Sequence, residues 1–130
     1  MADFADSLSL SASGLKAQAQ RLRHVSENIA NNDTPGYRRK TVSFGLERER
    51  PDGPALVTPG RVRLDQAELS RIYDPSNPLS DDTGYYDGSN VDLIIEIADA
   101  REAQRSYEAN LKMFDQARQM SSSLLDLLRR

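Results

Sequence analysis

The segment FADSLSLSASGLKAQAQRLRHVSENI, residues 4–29, carries apolar side chains at heptad spacing. A heptad frame through this segment has apolar residues at six of its eight a and d positions. The eight positions are Phe4, Leu8, Ser11, Leu15, Gln18, Leu22, Val25 and Ile29. This pattern predicts a helix with a narrow apolar stripe, and such a stripe needs a partner helix to cover it.

The C-terminal segment predicts a second, longer helix. Ser89 precedes Asp92 by three residues, which predicts a capping box at its start, and no Gly or Pro follows. A heptad frame is apolar at eight of eleven positions: Leu93, Ile97, Ala100, Gln104, Tyr107, Leu111, Phe114, Arg118, Ser121, Leu125 and Leu128. A second stripe lies beside it: Met113, Ala117, Met120, Leu124 and Leu127. Two stripes are more than one partner helix covers, so we expect this helix to contact other molecules as well.

The middle of the chain is polar and rich in turn residues. We expect the first helix to end within Asn31–Gly36, where Pro35-Gly36 suits the centre of a type II turn. Alternation of Val42, Phe44 and Leu46 with small or polar residues predicts a strand. A hairpin is expected around Pro59-Gly60, and a short strand over residues 69–73.

These patterns predict a mainly α fold with a small β insert. The N- and C-terminal helices pair as an elongated, coiled-coil-like α-hairpin around a short β-rich middle region. Residues 1–37 and 89–130 form the predicted terminal helical domain, and residues 38–88 form a small outer region of strands and turns.

The composition favours a protein without catalytic, cofactor or metal chemistry. The chain of 130 residues has a net charge of −3, which disfavours nucleic acid binding, and it has no cysteine. His24 is the sole histidine, so a structural role is favoured for it. The acids Asp81, Asp82, Asp87 and Asp92 lack the ligand spacing of a calcium loop, and turn formation and helix capping explain them better. No signal peptide and no stretch long enough to span a bilayer is visible, and no small-molecule substrate is expected.

Charged residues near Tyr107 leave two interpretations open. Glu102, Arg105 and Glu108 are spaced to pair along one helix. They form either a solvated face or, with Tyr107 as an anchor, contacts between subunits.

Residues 26–38, SENIANNDTPGYR, resemble the N-terminal signature of the bacterial flagellar rod, hook and hook-associated axial proteins. The motif positions are Asn28, Ala30, Asn31, Thr34, Pro35, Gly36 and Tyr37. Further segments are similar to the proximal-rod members of that family: residues 73–78, 84–85, 90–92 and 105–110. The region between Arg38 and Arg71 shows little match, and two proximal-rod subtypes stay open.

The resemblance implies a structural subunit of the flagellar basal-body rod. It implies terminal helices that pair and then pack on neighbouring subunits, forming a drive shaft that transmits torque and encloses the export channel. The implied partners are other axial proteins, further copies of the chain and the flagellar type III export apparatus. The implied location is a rod crossing the periplasm, reached without a cleavable signal peptide.

We expect helix packing to depend on nine large residues: Leu8, Leu15, Leu22, Ile29, Tyr107, Leu111, Phe114, Leu125 and Leu128. Two other hypotheses about the function stay open. One is a soluble helical adaptor or type III secretion chaperone, and the other is an enzyme working through the loop from Asp81 to Asp92.

Overall fold

A computed structural model describes residues 2–129 of the chain. Helix α1 spans Ala2–Ala30 and helix α2 spans Leu93–Leu128. Four strands lie between them: β1 Lys40–Arg48, β2 Ala55–Leu64, β3 Arg71–Tyr73 and β4 Tyr85–Asp87. The predicted mainly α fold with a small β insert is confirmed. Met1 and Arg130, the outermost residues of the predicted terminal domain, lie outside the described residues.

The two helices pack side by side and antiparallel. Asn28, near the end of α1, contacts Glu96 at the start of α2, whereas Phe4 lies beside Met120 near the other end. At its 36 residues, α2 is about 54 Å long. Within residues 2–129, neither helix is both long and apolar enough to cross a membrane.

Small residues form the seam between the helices. Ala17 is 1% exposed and Ala103 is 0% exposed. A Cβ atom added to Gly14 would lie 2.8 Å from Oδ1 of Asn110, so the two helices approach closely there. Because small side chains bury little area, this seam gives only a modest hydrophobic contribution to stability.

Two predicted heptad positions of α1, Ser11 and Val25, are buried as expected, whereas the rest of the seam lies one residue before the predicted positions. The buried positions in α1 include Gly14, Ala17 and Asn28, where the sequence pattern indicated Leu15, Gln18 and Ile29. In α2 they include Glu96, Ala103 and Ala117, each one residue before a predicted position. One residue is about 100° of helix rotation, so the large aliphatic side chains flank the seam.

Strands β1 and β2 form an antiparallel hairpin. Lys40 pairs with Leu64 at its base and Arg48 with Ala55 at its far end, and the register shifts between Val42 and Phe44. The predicted hairpin around Pro59-Gly60 is wrong, because both residues lie inside β2. Pro59 pairs with Phe44 beside the register shift, at an irregular place in a two-stranded sheet where a missing N–H is tolerated.

Strands β3 and β4 form a second antiparallel pair, with Ile72 opposite Tyr86. The short strand predicted over residues 69–73 is present as β3. Helix α2 is capped by Asp92, whose side chain accepts a hydrogen bond from the Ile94 backbone N–H. The predicted capping box is wrong, because the Ser89 hydroxyl donates to the Asn32 carbonyl.

Candidate assembly site

The turn after α1 brings the end of that helix onto the end of β4. The Tyr37 N–H donates to the Thr34 carbonyl over 3.2 Å, and Gly36 has a φ of 75°, as a type II turn requires. The Gly36 N–H also donates to the carbonyls of Asp87 and Gly88, at 3.2 and 3.1 Å. The predicted turn at Pro35-Gly36 is therefore present, and it joins the first helix to the second strand pair.

Asn31 and Thr34 hold the same turn from its other side. The Asn31 side-chain amide donates to the Glu27 carbonyl over 2.8 Å, and its oxygen accepts a hydrogen bond from the Thr34 hydroxyl over 3.0 Å. Ala30 and Pro35, the two remaining turn positions of the motif, are exposed.

Asn28 binds the start of β1 as a neighbouring strand would. Its side-chain oxygen accepts from the Lys40 N–H over 2.9 Å, and its amide donates to the Lys40 carbonyl over 3.0 Å. The same oxygen accepts a bond from the Tyr37 hydroxyl over 2.7 Å. Because Asn28 is only 1% exposed, it must satisfy its polar atoms internally, and these bonds do so.

Asn90 bridges the two ends of the β1–β2 hairpin. Its side-chain oxygen accepts a hydrogen bond from the Arg39 N–H over 2.6 Å. Its amide donates to the carbonyl of Asp65 over 2.9 Å. Arg39 immediately precedes β1 and Asp65 immediately follows β2, so one side chain fixes both feet of the hairpin.

Arg39 connects the hairpin to α2 through charge. Its Nε donates to the carboxylate of Glu96, which is fully buried, and its Nη2 lies 2.6 Å from Asp99. The Asn28 amide lies 3.3 Å from the second Glu96 oxygen. A buried carboxylate is costly unless it is paired and hydrogen-bonded, and Glu96 is both. Together Asn28, Tyr37, Arg39, Asn90 and Glu96 form what we call the hairpin socket.

The environment of the socket changes the pKa values of its members. Burial opposes the charge of Arg39, but the hydrogen bond and the negative charge of Glu96 outweigh it and raise the Arg39 pKa. Burial raises the pKa of Tyr37, which keeps its hydroxyl available as a donor. At the rim, the hydrogen bond between Lys40 and Glu27, 2.8 Å long, lowers the Glu27 pKa and raises the Lys40 pKa.

A second polar contact joins the helices beside the socket. Arg21 of α1 lies 3.5 Å from Asp99 and 3.4 Å from Glu102 of α2. Glu102 thus belongs to a contact between the two helices of one subunit. Arg105 and Glu108 are exposed, so for them both interpretations of the charged face stand.

Large apolar residues are exposed along both helices and the hairpin. The accessible surface of the chain is 9310 Å², whereas a compact monomer of this size exposes roughly 6,900 Å². The surplus of roughly 2,400 Å² is comparable with the area that a stable protein interface buries. On α2 most of the exposed large apolar residues lie near the two ends, with Leu111 and Met113 between them: Leu93, Ile94, Ile95 and Ile97, then Met120, Leu124, Leu125, Leu127 and Leu128.

The predicted packing residues divide into two groups. Five are half-buried beside the seam: Leu8, Leu15, Leu22, Tyr107 and Phe114. Four are exposed: Ile29 at 39%, Leu111 at 41%, Leu125 at 44% and Leu128 at 75%. The exposed four do not pack in the seam of a single subunit, and for them packing between subunits stays a prediction.

Sequence reasoning missed the centre of the socket. In the sequence, Arg39 is part of a basic triplet beside the turn, and Glu96 is surrounded by aliphatic residues in the segment LIIEI, residues 93–97. Glu96, however, begins a series at intervals of seven residues that continues with Ala103, Asn110 and Ala117. These are the small and polar positions of the seam. This spacing is the signal that could have identified it.

Asp81 and His24 are two of the residues weighed for metal or acid-base chemistry. The Asp81 carboxylate accepts hydrogen bonds from Thr83 and the Tyr85 N–H and pairs with Arg71, and these contacts lower its pKa. His24 is 5% exposed between α1 and the hairpin base. Among residues 2–129, no group of three or more His, Asp or Glu side chains is placed to hold a metal ion.

Known proteins resemble the chain over both terminal regions and over most of its length. Residues 8–38 match the family model described as flagella basal body rod protein, and residues 82–127 match the model for the FlgEFG C-terminal region of flagellar basal-body rod proteins. The flagellar basal-body rod protein FlgC of Agrobacterium fabrum is 46% identical, over 92% of this chain and 91% of the relative. FlgC of Aquifex aeolicus is 36% identical, over 88% and 89%, and FlgC of Salmonella typhimurium is 32% identical, over 91% and 92%.

The small-residue seam, the hairpin socket and the surplus apolar surface define a structural subunit of a larger assembly. The chain belongs to the flagellar basal-body rod proteins and is FlgC-like, a structural rod subunit of the flagellum. Membership of this family places the chain in the flagellum, where it assembles with other components of the basal-body rod.

Proposed function

We propose that this rod subunit polymerises through the exposed apolar surface of its two terminal helices. The observation that carries the proposal is the set of large aliphatic residues that α2 leaves exposed, in a chain whose total accessible surface exceeds that of a compact monomer by roughly 2,400 Å². Large exposed apolar patches on a protein mark sites of interaction with a partner. The polymer is an axial shaft that transmits torque and encloses the export channel.

The two apolar ends of α2 support an open, head-to-tail arrangement. The first patch lies within residues 93–97 and the second within residues 120–128, and the stretch between them contains the charged residues Arg101, Glu108 and Lys112 together with exposed Leu111 and Met113. Contacts between unlike patches produce a filament when the rotation between subunits does not close a ring. The partners in this proposal are neighbouring rod subunits and copies of the same chain, in a rod that crosses the periplasm. Delivery is by the flagellar type III export apparatus.

The proposal also assigns the chain no catalytic activity. Three acids of the loop that the enzyme hypothesis would use are engaged elsewhere. Asp81 and Asp87 both pair with Arg71, at 2.9 and 3.2 Å, and Asp92 caps α2. The contacts of Asp81 stabilise its charged form and lower its pKa, so this carboxylate is a weak base.

The double variant Leu125→Asp, Leu128→Asp tests the proposal. Both side chains are exposed in the single subunit, so its helical content and unfolding midpoint stay close to those of the wild type. In cells that lack their own copy of the subunit, the variant is absent from purified basal bodies and the cells do not swim. The matched control, Gln104→Asp, adds a charge to an exposed polar site of α2 and supports swimming.

Wild-type amounts of the double variant in basal bodies would contradict the proposed surface. Purified basal bodies that lack the wild-type chain altogether would instead favour the soluble adaptor or chaperone.

A further inference from the structure

The β1–β2 hairpin lies along α1 with few bonds to it beyond the base. The backbone N–H of Val57 donates to the Ser13 hydroxyl over 3.0 Å, and this is the hydrogen bond that joins the far half of the hairpin to α1 within residues 2–129. A groove of about 670 Å³ runs between the two, lined by Lys16, Gln20 and Arg23 on α1 and by Leu56 and Thr58 on β2. Residues 55–58 of β2 are half-buried where the hairpin packs on α1, and the polar bonds that can set its direction are concentrated at its base.

Both feet of the hairpin meet in the socket. The Asp65 N–H donates to the Arg39 carbonyl over 2.8 Å, and Asn90 bonds to both residues. The Arg39 side chain then reaches α2, where it binds Glu96 and Asp99. A guanidinium group donates in fixed, coplanar directions, so contact with two acids one helical turn apart fixes its orientation.

A buried ion pair of this kind is a poor source of net stability. Removing Arg and Glu from water costs about as much as their attraction returns, and apolar replacements of similar volume are often neutral or stabilising. What an apolar pair cannot supply is direction, since hydrophobic contact is not directional. Glu96 is fully buried, at a kind of position that proteins usually fill with an apolar side chain. Net stability therefore does not explain why the chain has a charged pair here.

We propose that the buried Arg39–Glu96 pair is a positioning device that fixes one direction of the β1–β2 hairpin relative to the helix pair. Asn28 completes it by holding Lys40 as a neighbouring strand would. The pair thereby presents the outer region to adjoining rod subunits in a single orientation, a consequence that rests on the proposed function. The device itself belongs to the isolated subunit.

The double variant Arg39→Met, Glu96→Leu tests this proposal. Asp99 and Asp65 lose a partner but are 29% and 33% exposed, so water can solvate them and the chain still folds. The chain has no cysteine, and Cys introduced at Glu47 in β1 and Arg101 in α2 therefore carries two spin labels at defined sites. Both positions are exposed and neither belongs to the socket.

Double electron–electron resonance on the isolated subunit gives the deciding result. The wild-type background gives one narrow distance distribution between the labels, and the double variant gives one at least twice as broad, with an unchanged or raised unfolding midpoint. The control variant, Arg21→Met, Glu102→Leu, removes a less buried ion pair that joins α1 to α2 without involving the hairpin, and it leaves the distribution narrow. A narrow distribution in the Arg39→Met, Glu96→Leu subunit overturns the proposal.

A second variant covers the case in which the double variant does not fold. Arg39→Lys keeps the charge beside Glu96 but has no planar fork to reach Asp99 at the same time. It broadens the distribution while the subunit still unfolds cooperatively, and a narrow distribution in this variant also overturns the proposal.

Assembly is measured separately. We expect the Arg39→Met, Glu96→Leu subunit to enter purified rods at least tenfold less than the wild type. Entry at the wild-type level would show that adjoining rod subunits do not require the hairpin in a single orientation. If the wild-type chain itself is absent from rods, the proposed function fails, whereas the distance distributions still decide whether the pair positions the hairpin.

Discussion

The two ends of the helix pair differ in their directional bonds. At the socket end the buried side chains are polar, and Glu96 and Asn28 are 0% and 1% exposed with hydrogen-bond partners inside the subunit. At the far end α2 exposes Leu127 by 63% and Leu128 by 75%, and at the socket end it exposes Ile94 by 79%. Both ends thus leave apolar surface for contacts with other molecules, and the socket end in addition fixes the shape of the subunit through directional bonds.

The small-residue seam between these ends buries little apolar area, so the order and the burial of the subunit depend on both ends. The buried hydrophobic residues of the described chain are Ala17, Val25, Ala103 and Ala117. Hydrophobic stabilisation grows with apolar area removed from water, at about 25 cal/mol per Å², and alanines remove little. The socket supplies order within the subunit, and assembly contacts supply the remaining burial.

The largest expected effect comes from breaking the socket at Asn28. Asn28→Ala leaves the Tyr37 hydroxyl and the Lys40 N–H without their acceptor, and we expect it to lower the free energy of unfolding by about 3 kcal/mol. Urea denaturation of the isolated subunit measures this loss. Asn31→Ala, which removes bonds at the more exposed turn, serves as the control and costs about 1 kcal/mol. Equal losses in the two variants would show that the socket has no special role.

A smaller effect is expected in the seam. Ala103→Leu forces a larger side chain between closely packed helices and lowers the free energy of unfolding by about 2 kcal/mol. Leu127→Ala, at the exposed end, changes it by less than about 0.5 kcal/mol in the isolated subunit. Thermal unfolding of both variants compares the two regions directly, and a larger loss for Leu127→Ala would reverse the assignment of inner and outer surfaces.

The smallest effect concerns the ion pair at the socket rim. Because the hydrogen bond from Lys40 lowers the Glu27 pKa, the carboxylate stabilises the fold above its ordinary pKa of 4.5, and this contribution is lost as the pH falls through the lowered pKa. The raised pKa of Lys40 gives a contribution that is present below 10.5 and lost as the pH rises through the raised value. Both side chains are more than one third exposed, so solvent weakens the pair.

The variant Glu27→Gln isolates this contribution. The difference in urea midpoint between wild type and variant is largest between pH 4.5 and 10.5 and shrinks on either side. A difference that stays constant while the pH is taken well below 4.5 and well above 10.5 would show that the pair does not act through charge.

Local signals in the sequence were sufficient to predict several elements. Both helices follow from the heptad spacing of apolar residues, the turn from Pro35-Gly36, and strand β1 from its alternation. The hairpin at Pro59-Gly60 was wrong, because the pair looks like a turn locally and only its position beside a register shift allows it inside β2.

The face of each helix that forms the seam could not be predicted from the sequence, for a different reason. The heptad period was correct, but the largest aliphatic residues were placed inward, and the structure places small residues one position earlier. A sequence pattern cannot distinguish apolar residues buried within a subunit from those buried between subunits, since both follow the same period. The Arg39–Glu96 contact joins residues 57 positions apart, and no local pattern specifies such a pair.

Attachment of both hairpin feet to Asn90 has a consequence for how this outer region can change in evolution. The chain leaves the helical core and returns to it at a single point, so residues inserted between Arg48 and Ala55 extend the hairpin outward without altering the connection to α1 or α2. The outer module can therefore be lengthened, shortened or exchanged while the helical core keeps its geometry.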